Sequence, residues 1–282
     1  MEHISVIGAG TMGRGIAFSC AVAGLSVVVQ DIQEQGLTDA KEYHKRHFQK
    51  RVDRGKLTED QAEQLSGNIT YTLSLEEAAS KADLIVEAVP EILSLKIETF
   101  KKLDASASEH TILATNTSTM SPTEIAAQTS HPNQCIALHF FNPVPKMKLI
   151  EVICGLETSE ETIKRAFAFG EQIGKECVKI NEFPGFAVSR MNCLIGNEAM
   201  NMVMEGVGSI EDIDKAMKLG LNHPMGPLEL ADLVGLDVRL RNMEYLHQTL
   251  GEKFRPCPLL VKYVKAGYLG KKTGRGFYHY KA

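Results

Sequence analysis

Near its N-terminus the chain reads Ile4-Ser5-Val6-Ile7-Gly8-Ala9-Gly10-Thr11-Met12-Gly13, an apolar strand that runs into a glycine-rich turn and then a helix. The glycines have GxGxxG spacing, which is typical of a turn that binds the pyrophosphate of a dinucleotide. The first glycine allows a tight turn, the second lets the backbone approach the phosphates, and the third lets the helix pack closely on the strand. The positive N-terminal end of the helix would stabilise the phosphate charge. This pattern predicts cofactor contacts from Gly8, Gly10, Thr11, Met12 and Gly13.

An acidic residue follows the second predicted strand, Ser26–Gln30. Asp31 lies 18 residues beyond Gly13, where a carboxylate would accept hydrogen bonds from the adenosine ribose hydroxyls. The same carboxylate would repel the extra phosphate of NADP, and no Arg follows it immediately, so the sequence favours NAD. The alternative is a glycine-rich turn with an unrelated surface aspartate, and FAD can also use this fingerprint.

Apolar runs and helical stretches alternate along the first part of the chain. The strand-like runs cover residues 4–8, 26–30, 69–72, 84–88, 111–115 and 135–139, and the helical stretches cover 11–23, 36–54 and 91–103. Alternation of this kind predicts parallel strands joined by helical crossovers. After the break at Phe183-Pro184-Gly185-Phe186, helical spacing continues over 186–205, 209–219, 227–250 and 258–266. We therefore predict an α/β fold, with a Rossmann-type NAD-binding domain over residues 1–183 and a smaller all-α domain over residues 184–282.

The composition is that of an ordinary globular protein, with 282 residues, 44% of them hydrophobic and 23% charged. The net charge of −4 argues against a nucleic-acid or anionic membrane partner. Six cysteines are scattered without a CxxC pair, and no His or Cys cluster predicts a metal site. The chain enters an apolar strand almost at once and holds no apolar run of membrane-spanning length, so we expect a soluble cytoplasmic protein.

A second informative segment is His139-Phe140-Phe141-Asn142-Pro143-Val144-Pro145-Lys146, followed by an apolar run that holds Glu151. If the strands fold back about Pro145, His139 and Glu151 lie opposite each other, because each is six residues from the pivot. A carboxylate facing an imidazole can fix its tautomer and raise its basicity, as a general base requires. A buried structural His–Glu pair is the alternative.

Further motifs extend the pattern over essentially the whole chain. They are Ile85-Val86-Glu87-Ala88-Val89-Pro90-Glu91, Asn116-Thr117-Ser118, Asn222-His223-Pro224-Met225-Gly226-Pro227 and Gly274-Arg275-Gly276-Phe277-Tyr278. On these motifs the chain resembles the L-3-hydroxyacyl-CoA dehydrogenases, and the bacterial 3-hydroxybutyryl-CoA dehydrogenases most of all. The resemblance implies reversible, NAD-dependent oxidation of a short-chain L-3-hydroxyacyl-CoA to the 3-ketoacyl-CoA, in fatty-acid or butanoate metabolism. It also implies a helical second domain that builds a homodimer.

The resemblance assigns catalytic roles to three residues. His139 would be the general base, Glu151 its orienting partner, and Ser118 the hydroxyl that hydrogen-bonds the reacting oxygen. A neutral imidazole is suited to take the substrate's hydroxyl proton near neutral pH, while the cofactor accepts the hydride. For Ser118 the alternative is a loop hydroxyl that caps local backbone.

Four further residues match family positions at the cofactor, namely Glu91, Lys96, Asn116 and Asn142. Glu91 and Lys96 would lie near the nicotinamide ribose, or they are solvated charges at the start of a helix. Asn142 would help to hold the nicotinamide or the catalytic loop, or it is a turn residue before a proline.

Substrate contacts are predicted at two places. The basic cluster Lys50, Arg51, Arg54 and Lys56 could clamp the phosphates of CoA, with Arg51 and Lys56 as the predicted contacts. The alternative for this cluster is a solvated helix end. Ser189 stands where family members commonly carry an Asn that contributes to the substrate site. A serine lacks the paired donor and acceptor of an amide, which leaves a different substrate or a reduced activity open.

Two other functions compete with this interpretation. A same-fold dehydrogenase of a hydroxy acid without CoA, of the gulonate type, would use the same His139 and Glu151. A non-catalytic, crystallin-like NAD-binding protein would keep the fold without turnover. The joint presence of the fingerprint, Ser118, His139 and Glu151 counts against this second alternative.

Overall fold

One mixed sheet organises the unit Met1–Glu182 of the computed structural model, which describes residues 1–280. Its strands are β1 (His3–Ile7), β2 (Ser26–Gln30), β3 (Ile69–Thr72), β4 (Leu84–Glu87), β5 (Ile112–Thr115), β6 (Cys135–Phe140), β7 (Leu149–Cys154) and β8 (Glu176–Asn181). They lie in the order β3-β2-β1-β4-β5-β6-β7-β8, and each neighbouring pair is parallel except β6 and β7. The predicted Rossmann-type α/β fold is confirmed.

Helices cover both faces of this sheet. They are α1 (Thr11–Val22), α2 (Glu34–Asp53), α3 (Glu59–Gly67), α4 (Leu75–Ala79), α5 (Leu93–Ser106), α6 (Pro122–Ala126) and α7 (Glu160–Gln172). Side chains alternate along β4, so that Leu84 and Val86 join the core under α1, α2, α3 and α7, whereas Ile85 joins the core under α4, α5 and α6. Burial on both faces explains why the central strands read as apolar runs in the sequence.

The second unit begins at Phe183 and is mainly helical, with two isolated β-bridges between residues 270 and 279. Its helices are α8 (Val188–Met204), α9 (Ile210–Gly220), α10 (Pro227–Val234), α11 (Leu236–Leu250) and α12 (Pro258–Lys265). The predicted single helix over 227–250 is wrong, because Gly235 has a φ of +104° and separates α10 from α11. No helix within residues 1–280 is both long and apolar enough to cross a bilayer.

Two buried aspartates explain the glycine motifs of this second unit. Asp214 accepts backbone hydrogen bonds from the first turn of α10, and the hydroxyl of Tyr278 donates to it at 2.8 Å. Asp232 accepts the backbone N–H of Tyr278 at 2.8 Å. A Cβ atom on Gly226 would lie 2.2 Å from the Asp214 carboxyl carbon, and one on Gly276 would lie 2.0 Å from an Asp232 oxygen. Both glycines therefore leave room for a carboxylate that ties helices to the C-terminal segment.

Candidate functional site

The glycine-rich turn after β1 is built by close backbone contacts. Gly8 has a φ of +98°, and a Cβ atom at this position would lie 2.8 Å from the carbonyl oxygen of Ala88. A Cβ atom on Gly13 would lie 1.8 Å from the Gly8 carbonyl oxygen, so helix α1 can approach the turn only without a side chain there. The turn consequently packs against the segment that follows β4.

The N-terminus of α1 fits a dinucleotide phosphate. Gly10 is its N-cap residue, no side chain caps it, and a Cβ atom added to Gly10 would meet no atom within 4 Å. Thr11 and Met12 form the first helical turn, whose backbone N–H groups have no partner within the helix. These donors and the open space beside Gly10 are what an approaching pyrophosphate requires.

Asp31 is anchored to the same turn. One carboxylate oxygen accepts the N–H of Ala9 at 2.8 Å, and the other accepts the N–H of Gln33 at 2.9 Å. Each oxygen keeps a further lone pair, so the carboxylate can still accept ribose hydroxyls. Asp31 is thus part of the glycine-rich turn rather than an unrelated surface charge.

His139 and Glu151 face each other across the antiparallel pair β6–β7. The register places them directly opposite, and the distance from His139 Nδ1 to Glu151 Oε2 is 2.7 Å. Their side chains are 6% and 0% exposed, respectively. The predicted hairpin geometry is confirmed, and the carboxylate is positioned to accept a hydrogen bond from Nδ1–H, which leaves Nε2 as the basic nitrogen. The catalytic role of the pair stays a prediction.

Lys175, which the sequence did not point to, holds the turn between these strands. Its ammonium donates to the carbonyl oxygens of Val144 at 2.6 Å and Met147 at 2.7 Å. Burial lowers the pKa of the Lys175 ammonium. No local signal could have revealed this contact, since Lys175 lies 31 and 28 residues from its two acceptors.

The loop after β5 presents Ser118. Its backbone N–H donates to Glu91 Oε1 at 2.9 Å, and the Thr117 hydroxyl donates to the same oxygen. Thr117 Oγ1 also accepts the N–H of Met120 at 3.0 Å, whereas the Ser118 hydroxyl makes no hydrogen bond with any part of residues 1–280. The alternative that Ser118 caps local backbone is therefore wrong, because Thr117 does so.

Asn116 joins this loop to the strand of the histidine. Its side-chain oxygen accepts the N–H of Phe140 at 2.9 Å, and its own N–H donates to the Glu87 carbonyl oxygen at 2.8 Å. The Ser118 loop and the end of β6 are thereby fixed side by side. Asn142 is exposed in the turn between β6 and β7. Cofactor contacts from Asn116 and Asn142 stay predictions.

Lys96 is completely buried against two carboxylates. Its ammonium lies 2.8 Å from Glu87 Oε1 and 3.2 Å from Glu91 Oε2. Burial raises the pKa of Glu87, while Lys96 and the Thr115 hydroxyl, which donates to Glu87 Oε2 at 2.7 Å, act to lower it. The alternative of a solvated charge is wrong for Lys96, whose side chain is 1% exposed. The Glu91 side chain is 34% exposed, so it is partly in contact with solvent. Direct contact of either residue with the cofactor stays a prediction.

No role was predicted for Glu87 from the sequence, although the sequence does indicate one. It is a carboxylate at the end of β4, an otherwise apolar strand whose residues are all buried. A buried carboxylate requires a charged or hydrogen-bonding partner, which Lys96, Thr115 and the N–H of Val89 supply. An acidic residue in such a run therefore predicts a buried polar network.

The predicted substrate residues lie in different units. Arg51 is in the last turn of α2, and Lys56 is exposed three residues beyond that helix. Among residues 1–280, no salt bridge engages Lys50, Arg51, Arg54 or Lys56. Ser189 lies in the first turn of α8 and is partly exposed. Substrate contacts at these positions stay predictions.

Comparison with known proteins identifies the family. The family model for the 3-hydroxyacyl-CoA dehydrogenase NAD binding domain matches residues 3–183, and that for the C-terminal domain matches residues 185–280. A probable 3-hydroxybutyryl-CoA dehydrogenase of Bacillus subtilis is 49% identical over 282 residues, which cover 100% of this chain and 98% of the relative.

Solved structures agree with the family models. The crystal structure of (S)-3-hydroxybutyryl-CoA dehydrogenase from Ralstonia eutropha has a TM-score of 0.96 and 41% identity, with both chains covered completely. A second structure, of an NAD⁺-dependent 5-dehydrogenase of a pyridine carboxylic acid, has a TM-score of 0.81 and 28% identity and covers 100% of this chain and 91% of its own. The chain belongs to the 3-hydroxyacyl-CoA dehydrogenase family.

Proposed function

We propose that the protein catalyses the reversible, NAD-dependent oxidation of a short-chain L-3-hydroxyacyl-CoA, such as 3-hydroxybutyryl-CoA, to the 3-ketoacyl-CoA. The observation that carries the proposal is the 2.7 Å contact between His139 and Glu151, on the sheet that also bears the dinucleotide turn. Relatives at 42–49% identity over 98–100% of this chain are named 3-hydroxybutyryl-CoA dehydrogenases.

His139 moves the proton in this reaction. Its Nε2 removes the proton from the substrate's C3 hydroxyl as the C3–O bond gains double-bond character. The imidazolium that forms is stabilised by Glu151, whose carboxylate accepts a hydrogen bond from Nδ1–H throughout. NAD supplies the acceptor for the hydride that leaves C3. The hydroxyl proton thus leaves the substrate oxygen for His139, and the hydride leaves the neighbouring carbon for the cofactor.

Ser118 holds the reacting oxygen. Its hydroxyl is not engaged by any other group among residues 1–280, and its backbone is fixed by Glu91. A hydrogen bond from this hydroxyl would favour the ketone oxygen in the reductive direction, when the carbonyl must be polarised for hydride addition. The serine thereby aligns the substrate without titrating.

Basic residues at the end of α2 are proposed to bind the phosphates of CoA. Arg51 and Lys56 have no carboxylate partner among the described residues, so their charges are available to an anion. Lys50 and Arg54 are exposed beside them. A partner-free cationic helix end favours the CoA ester over a free hydroxy acid.

Acetoacetyl-CoA-dependent loss of NADH absorbance tests the function. We expect turnover with acetoacetyl-CoA and weak or no turnover with free acetoacetate, since the free acid lacks the phosphates. Turnover of free acids without turnover of CoA esters would favour the gulonate-type alternative. Binding of NAD without turnover of any hydroxyacyl substrate would favour the non-catalytic alternative. A series of longer acyl chains would then define the chain-length preference.

Asp31→Ser is expected to shift the cofactor preference from NAD towards NADP by about tenfold, because one charge-assisted hydrogen bond to the ribose and one repulsive charge are removed together. The measurement is kcat/KM with NADH and with NADPH. Asp39→Ser, at an exposed position of α2, is the matched control and should leave the preference unchanged. An unaltered preference in Asp31→Ser would remove Asp31 from the ribose site.

A homodimer built by the helical unit is also proposed. This unit exposes several large apolar side chains, including Met191 at 59%, Val207 at 63%, Leu219 at 77% and Leu221 at 65%. Exposed apolar groups of this kind favour a protein–protein contact when they lie together. Sedimentation equilibrium should give twice the chain mass, and a monomer at micromolar concentration would contradict the proposal.

A further inference from the structure

Three charged side chains form a buried ion cluster, which consists of Glu87, Lys96 and the partly exposed Glu91. The Lys96 ammonium bridges the two carboxylates at 2.8 and 3.2 Å, and Lys96 and Glu87 are fully buried. Lys96 is the cation at the centre, and Glu87 is the carboxylate to which the family resemblance assigned no role. The cluster has more carboxylates than ammonium groups and therefore a net charge. Because the dielectric constant is low inside a protein, this charge interacts strongly with other charges nearby.

The hydrogen-bond partners of Glu87 suit an ionised carboxylate. Glu87 accepts from the N–H of Val89 at 2.8 Å, from Lys96 and from the Thr115 hydroxyl at 2.7 Å. The Val89 N–H and the Lys96 ammonium can only donate, and the Thr115 hydroxyl can donate as well, so an ionised Glu87 satisfies all three partners. Glu91 likewise accepts from the Ser118 N–H, the Thr117 hydroxyl and Lys96. Two carboxylates around one ammonium give the cluster a net charge of −1.

The cluster lies between the phosphate turn and the proposed catalytic residues. The backbone of Gly8 packs on Ala88, directly after Glu87, and the N–H of Val89 bonds the Glu87 carboxylate. On the other side, Glu91 holds the backbone of Ser118. In the proposed complex, the pyrophosphate of the cofactor lies in the turn and its reactive end meets the substrate at Ser118. The part of the cofactor between these two points then lies next to the cluster.

The charge of the reactive end differs between the two redox states of the cofactor. The nicotinamide ring carries a positive charge when oxidised and is neutral once it has accepted a hydride. A nearby net negative charge stabilises the oxidised ring and has little effect on the reduced ring. We propose that the buried ion cluster sets the relative affinity for NAD⁺ and NADH, and that Glu87 is its specificity-determining residue. The proposal rests on the NAD-dependent function above.

The effect is large enough to measure. A unit charge at a separation of about 10 Å, with an effective dielectric constant of about 20, changes a binding constant by about tenfold. Glu87→Gln makes the cluster neutral and should weaken NAD⁺ relative to NADH. Lys96→Met makes the cluster more negative and should strengthen NAD⁺ relative to NADH. The double variant Glu87→Gln/Lys96→Met restores a net charge of −1, so its affinity ratio should return to that of the unchanged protein.

The experiment measures the dissociation constants of NAD⁺ and NADH by titration calorimetry at pH 8. We expect the ratio Kd(NAD⁺)/Kd(NADH) to rise about tenfold in Glu87→Gln, to fall in Lys96→Met, and to be unchanged in the double variant. Glu98→Gln removes the same charge from an exposed pair with Lys102 on α5, and it is the matched control. It should leave the ratio unchanged.

The outcomes separate charge from structure. If the cluster only supports the Ser118 loop, the variants would weaken both forms of the cofactor alike and the double variant would be the weakest, which overturns the proposal. If Glu87→Gln does not fold, an unchanged ratio in Lys96→Met overturns it equally. Failure of the unchanged protein to reduce acetoacetyl-CoA, with the ratio shifted as expected, would contradict the proposed substrate and leave the role of the cluster intact.

Discussion

Replacing His139 with Gln is expected to lower kcat by about a thousandfold while leaving the Kd for NAD nearly unchanged. The imidazole is the group proposed to take the hydroxyl proton, and an amide cannot accept a proton near neutral pH. Gln is similar in size and can keep a hydrogen bond to Glu151, so the packing between β6 and β7 is largely retained. Steady-state reduction of acetoacetyl-CoA gives kcat, and quenching of protein fluorescence or calorimetry gives the Kd.

His110→Gln is the matched control for this substitution. The His110 side chain is 83% exposed, so the same chemical change is made outside the site and should leave kcat unchanged. A His139→Gln variant that retains most of its turnover would mean that another group accepts the proton, and His139 would then be a structural partner of Glu151. Loss of NAD binding in His139→Gln would instead indicate that the hairpin supports the cofactor site.

The sequence alone was sufficient to predict those structural features that depend on a local pattern of residues. Gly8 and Gly13 predict a strand, a tight turn and a helix because only glycine fits the backbone contacts found there. The register of His139 and Glu151 followed from their equal spacing about Pro145, since an antiparallel pair is fixed by its turn. Asp31 followed from the distance between the turn and the end of the second strand.

Contacts between distant segments were not predictable from one sequence. Lys175 meets the hairpin turn, and Thr115 donates to Glu87 from 28 residues away, only because the chain folds back on itself. Helical periodicity continued across Gly235, and the break appears only in the backbone conformation of that residue. Hydrophobic spacing reports which face of an element is buried, and it carries no information about which polar group a buried charge will meet.

Glu151→Gln should lower kcat by about a hundredfold. The amide oxygen can still accept a hydrogen bond from the Nδ1–H of His139, so the orientation of the ring is kept while the negative charge is removed. An imidazolium next to a neutral amide is less stable than one next to a carboxylate, so the transition state for proton removal is less stabilised. The measurement is kcat/KM for acetoacetyl-CoA reduction and for hydroxyacyl-CoA oxidation from pH 5 to pH 9.

Glu160→Gln removes a carboxylate of the same type from an exposed pair with Lys179 and is the control for charge alone. Glu151→Ala removes both the charge and the acceptor, and it leaves the buried Nδ1–H of His139 without its carboxylate. If orientation dominates, Glu151→Gln will approach the activity of the unchanged protein and Glu151→Ala will fall far below it. If the charge dominates, the two variants will be nearly equal. An unchanged kcat in both Glu151→Gln and Glu151→Ala would reduce the contact to packing, because a carboxylate that stabilises the imidazolium cannot be removed without loss of rate.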